Sequence, residues 1–103
     1  MLIIAATIPV KSAALPAAIE AAIAMARATR TESGCIEYGF YQDLEDPSRI
    51  HVFEKWENGD ALAAHFQTPH MAEFSGMIGE FVDGVVSARR YEIASEGPVF
   101  PED

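Results

Sequence analysis

The chain has 103 residues, 50% of them hydrophobic and 22% charged, with 16 acidic against 7 basic side chains and a formal net charge of −9. That length fits one domain with a modest core and leaves no room for a second, and the charge argues against a nucleic-acid partner, whose phosphates such a surface repels. No stretch reaches the 18 or more apolar residues of a membrane span, the apolar start lacks the basic region of a secretory signal, and the single Cys35 has no partner for an internal disulfide, so no membrane contact and a cytoplasmic location are expected.

Leu2 to Val10 is apolar at nearly every position and rich in β-branched residues, which suits a strand covered on both faces. From about Ala13 to Arg30 an alanine-rich stretch carries Leu15, Ile19, Ile23 and Ala26 at spacings of three and four, the stripe of an amphipathic helix. Pro16 confines the helix start to its first turn, and Arg27 and Arg30 favour the negative pole of the helix dipole. A second strand is expected from Gly34 to Asp43 and a third from Arg49 to Glu57, joined by the turn-forming Asp43-Leu44-Glu45-Asp46-Pro47-Ser48 as an antiparallel hairpin. A short helix from Asn58 to Gln67 then restarts at Thr68 as N-cap and Pro69 as first residue, running to about Glu80 with Leu62, Phe66, Met71, Phe74, Met77, Ile78 and Phe81 on its buried side. Val82 to Ile93 reads as the last strand, closing a domain over residues 1–94, and 95–103 as an irregular tail.

The order strand, helix, strand, strand, helix, strand predicts an α+β, ferredoxin-like fold with a four-stranded antiparallel sheet and both helices on one side. The sheet then has apolar residues to spare. Ile36, Tyr38 and Phe40 alternate with Cys35, Gly39 and Tyr41, and Ile50, Val52 and Trp56 with His51 and Phe53. Two helices cover one face, so the other calls for a second copy of the chain, and a homodimer is expected.

All three histidines and the only tryptophan fall between Gly34 and Phe74. His65 stands one turn after Leu62 and is expected to face the sheet near Glu54 and Trp56, or near Tyr38. A neutral imidazole in an apolar pocket can take a proton from an acidic organic substrate, and a carboxylate partner would fix its tautomer; a plain structural histidine at a helix end is the other reading. Glu54 interrupts an apolar strand and needs a partner, whether His65, a substrate hydroxyl, Arg49 or Arg89. Trp56, Tyr38, Phe40, Phe53, Phe66 and Phe74 are candidate walls for a flat ring, and each also reads as core. His65 and His70 are five residues apart with Pro69 between them, unlike the spacing of four that puts two ligands on one continuous helix face, so no metal is expected. The chain has no glycine-rich nucleotide loop, serine-hydrolase elbow or flavin signature.

The pattern Gly34-Cys35-Ile36-x-Tyr38, Asp43, Pro47, Phe53-Glu54-x-Trp56, Ala61, His65, Pro69-His70 and Phe74 resembles the antibiotic biosynthesis monooxygenase family, of its small quinol monooxygenase type, from Leu2 to Ile93. The resemblance implies a dimeric α+β barrel that binds no flavin, haem or metal and oxygenates a quinol, phenolic or polyketide aromatic with dioxygen. It implies His65 as base, Glu54 as its orienter or as a hydrogen-bond partner of substrate, and Trp56, Tyr38 and Phe40 as walls. The chain departs from the haem-degrading branch of the wider superfamily, whose haem-ligating histidine falls near Ser75 here. A non-catalytic dimeric module that binds a small molecule, and an isomerase of a small oxygenated metabolite, are the competing readings.

Overall fold

The computed structural model describes residues 1–100. Its elements are β1 (Leu2–Pro9), a single 3-10 turn (Ser12–Ala14), α1 (Leu15–Thr29), β2 (Cys35–Gln42), β3 (Arg49–Trp56), α2 (Gly59–His65), α3 (Pro69–Phe81) and β4 (Ser87–Glu92). The sheet order is β2-β3-β1-β4, antiparallel at every pairing, as the ferredoxin-like reading expects. The last strand is shorter than expected. Val82 makes an isolated bridge to Val10, Gly84 turns the chain at φ +117°, and pairing with β1 begins only at Ser87. The expected tail is irregular from Ala94 to Phe100, and its last residues, 101–103, lie outside the described ones.

Register decides which side chains meet the helices. Leu2, Ile4, Ala6 and Ile8 of β1 stand opposite Trp56, Glu54, Val52 and Ile50 of β3, and Tyr38 and Phe40 of β2 join the same face. Most of these are buried, and Trp56 completely. The opposite face carries Ile3, Ala5, Thr7, His51, Phe53 and Lys55, with Gly39 and Tyr41 from β2. Helix α1 lies on the sheet through Ala18, Ala21, Ala22, Met25, Ala26 and Thr29, not through Ile23, which is 46% exposed. Small side chains let helix and sheet approach closely, so the buried stripe sits one position round from the bulky residues that the periodicity selects.

The second helical segment is broken where the sequence places the break. Asn58 caps α2 by accepting a hydrogen bond from the Ala61 N–H, and Thr68 caps α3 by accepting from the Met71 N–H, with Pro69 first in the helix. The Thr68 hydroxyl also donates to the carbonyl of His65 at 2.8 Å. One threonine therefore fixes the end of α2 relative to the start of α3. Phe66 and Met77, expected on the buried side, are 54% and 41% exposed, while Phe74 is buried and Met71, Ile78 and Phe81 pack against the core.

Candidate active site

His65 is the last residue of α2 and one of the most buried side chains of the molecule. Its ring lies against the Trp56 indole with centroids 4.8 Å apart, and Tyr38 and Phe66 approach it at 5.7 and 5.8 Å. Its Nδ1 is 2.8 Å from Oε2 of Glu32, a residue of the turn between α1 and β2. The same oxygen lies 2.7 Å from Nε2 of His70, the second residue of α3. A carboxylate can only accept, so both rings donate to it, and neutral His65 carries its proton on Nδ1. Its Nε2 then presents a lone pair, and among the hydrogen bonds of the described residues this atom has no partner.

Gly34 brings Glu32 to this position. It adopts φ +83°, which only glycine takes without strain, and a Cβ there would lie 2.5 Å from the Cβ of Ala61, one turn before His65 on α2. The turn thus packs directly on the helix that carries the imidazole. Its backbone is tied at both ends, with the Glu32 N–H donating to the Thr29 carbonyl and the Glu57 N–H to that of Gly34.

Glu54 stands on β3 beside this group. Its Oε1 accepts from the Trp56 indole N–H at 3.0 Å, and burial pushes its carboxyl above the usual range, opposed by that hydrogen bond and by the nearby His65 and reinforced by Glu32. Burial, reinforced by the charge of Glu54, likewise raises the Tyr38 phenol far above its ordinary value, so that it stays neutral. Burial also raises the half-buried Cys35, which argues for a thiol rather than a reactive thiolate.

His65 and Glu54 line one end of a cavity of about 180 Å³ whose walls include Tyr38, Phe40, Val52, Phe74 and Ile78. The arrangement is a proton acceptor and a carboxyl whose pKa burial raises, both bordering an apolar space, which suits abstraction of a weakly acidic proton. A larger cavity of about 370 Å³ lies between α1 and β2, lined by Ile23, Arg27, Arg30 and Tyr41 but by no imidazole or carboxylate.

Of the residues singled out from the sequence, His65, Glu54, Tyr38, Phe40, Phe66 and Phe74 border the smaller cavity together. Trp56 lies behind His65 as backing. Phe53 corrects the expectation, because strand alternation sends it to the opposite face, opposite Gly39 and Ala5. The carboxylate bonded to the imidazole is Glu32, not Glu54. Glu32 did not stand out as a site residue, and His70 entered only as a metal ligand that its spacing from His65 argued against and as part of the family pattern. Both come from segments that only the fold brings together, and the sequence signal for Glu32 is Gly34, whose positive φ marks a turn built for close packing.

The model of the family described as antibiotic biosynthesis monooxygenase matches residues 1–76. The uncharacterized protein sll1783 of Synechocystis is 38% identical over 66 residues, covering 64% of this chain and 45% of that protein. The chain spans about half the length of the curated relatives it matches. Among solved structures, a conserved protein from Methanosarcina mazei superposes with a TM-score of 0.84 at 27% identity, covering 87% of this chain and 89% of that one. Rv0793 from Mycobacterium tuberculosis shares the fold, with a TM-score of 0.87 at 24% identity over 94% and 98% of the two chains.

Proposed function

The chain belongs to the antibiotic biosynthesis monooxygenase family, and from that premise we propose that it oxygenates a small quinol or related phenol with dioxygen, needing no cofactor, with His65 as base. The observation that carries this reading is the free Nε2 of a buried imidazole whose Nδ1 is bound to Glu32, at the end of an apolar cavity. Glu32 holds the tautomer and stabilises the imidazolium, the division of labour by which a carboxylate supports a histidine base. A phenol that loses its proton to Nε2 becomes an electron-rich anion, which can give one electron to dioxygen. Joining the two radicals makes a carbon–oxygen bond, and cleavage of the O–O bond releases water. A quinol and dioxygen thus become a hydroxyquinone and water, the substrate supplying all four electrons. Glu54, which borders the same cavity, would hydrogen-bond a second substrate oxygen.

The size of the cavity limits the substrate. An apolar cavity of roughly 150 Å³ accepts benzene, so about 180 Å³ suits one substituted ring rather than a fused polycycle. The proposed assembly is a homodimer through the open sheet face, where Phe53, Ile3 and Tyr41 stand without a covering helix. The functional test is oxygen uptake with a panel of hydroquinones, comparing the wild type with His65→Ala. Equal rates would remove His65 from the mechanism, and turnover without oxygen would point to an isomerase.

A further inference from the structure

We propose that Glu32, His65 and His70 form a binding site for a late first-row divalent cation of the zinc class. The sequence spacing spoke against a metal only on the assumption of one continuous helix. The break at Phe66-Gln67-Thr68 removes that assumption, since His65 ends one helix, His70 opens the next, and the Thr68 hydroxyl pins the two together. Nδ1 of His65, Nε2 of His70 and a carboxylate oxygen of Glu32 all lie within 4.8 Å of one another.

Two imidazole nitrogens and one carboxylate oxygen form a donor set that such ions favour, with positions left for water or another ligand. Bonds of about 2.1 Å at tetrahedral angles set donor atoms roughly 3.4 Å apart. The two N···O separations of 2.8 and 2.7 Å would have to open by about 0.6–0.7 Å on that geometry. Rotation of the Glu32 side chain would open these two separations, and rotation of the rings would bring the two imidazole nitrogens, at most 4.8 Å apart, to the same spacing. In the metal-free protein the two ring protons occupy the space between the donors, and the ion would displace both. The site also has an entrance: His70 is 24% exposed and Glu32 12%, while His65 at 1% forms the closed end. The net charge of −9 draws cations to the protein.

Metal on Nδ1 would leave the proton of neutral His65 on Nε2, the nitrogen that has no partner among the hydrogen bonds of the described residues. The ion would then turn the proposed base into a donor and silence oxygenation. That consequence rests on the proposed function, whereas the site itself rests on the three side chains alone.

The test is titration of the untagged, chelator-treated chain with Co²⁺, read by its d–d absorption, and with Zn²⁺ in competition, without substrate. One ion per chain with a Kd below about 10 μM is expected, weakened at least about tenfold in His70→Ala and in Glu32→Gln and unchanged in His51→Ala. Weaker binding, or equal binding by His70→Ala, overturns the site. Binding of Co²⁺ by a chain that consumes no oxygen with any quinol retains the site and rejects the base. Oxygen consumption by a chain that binds no Co²⁺ does the reverse.

Discussion

The carboxylate of Glu32 and the imidazole of His65 meet at 2.8 Å across 33 residues of sequence, and that contact orders the rest of the site. It fixes which ring nitrogen carries a proton and so which one can take one. His65→Ala is therefore expected to slow quinol-dependent oxygen uptake by roughly 10²- to 10⁴-fold. Glu32→Gln, which keeps the shape but allows the other tautomer, should cost about 10- to 100-fold. Initial rates in an oxygen electrode check both, and a Glu32→Gln enzyme at full speed would show that the contact does not orient the base.

Gly34→Ala tests the same contact from the backbone. The new methyl meets strain at φ +83° and a Cβ of Ala61 at 2.5 Å, so the turn must move away from α2. A stability loss of about 1–3 kcal/mol is expected in urea unfolding, together with a loss of oxygen uptake resembling that of Glu32→Gln. A variant with lowered stability but intact uptake would separate the turn's packing from its positioning of Glu32.

Trp56→Phe removes the indole N–H and leaves the buried Glu54 carboxyl without its donor. The expected cost is about 1–3 kcal/mol, from the unsatisfied polar group with the ring stacking largely kept. An unchanged unfolding midpoint would mean that Glu54 finds another partner or water.

Stability should depend on pH through Glu54. Its folded pKa is raised, chiefly by burial, so between the ordinary carboxylate range and that higher value the native state holds more protons than the unfolded one. Its contribution therefore falls as pH rises through this window and levels off above it. Glu54→Gln cannot ionise and should gain on the wild type across the same window, the difference vanishing at lower pH. Unfolding midpoints measured from pH 4 to 8 decide it, and a difference independent of pH would exclude ionisation as its cause.

The open sheet face predicts the oligomer. Light scattering at micromolar concentration should give a dimer mass for the wild type, and Phe53→Glu should shift it towards monomer, because a charge beside Gly39 and Ala5 would be buried without a partner. A dimer indifferent to Phe53→Glu would place the interface elsewhere.

Much of this arrangement could be read from the chain. Thr68-Pro69 announced the break between α2 and α3, the Asp43–Ser48 turn set the hairpin, and period-two alternation put Tyr38 with Phe40 on one face of β2 and Val52 with Trp56 on one face of β3. These features are local, because capping hydrogen bonds, proline's missing N–H and side-chain alternation act within a few residues. The sequence determined in this way the βαββαβ order, the family and the candidacy of His65 and Glu54. Only the tertiary structure decided that Glu32 holds the imidazole, that His70 shares the same oxygen, and that Phe53 faces away. Those outcomes depend on where the α1–β2 turn docks on α2, and on how the helix break aims two rings at one point. The free energy of such contacts lies in packing between distant segments, which no short stretch of the chain contains.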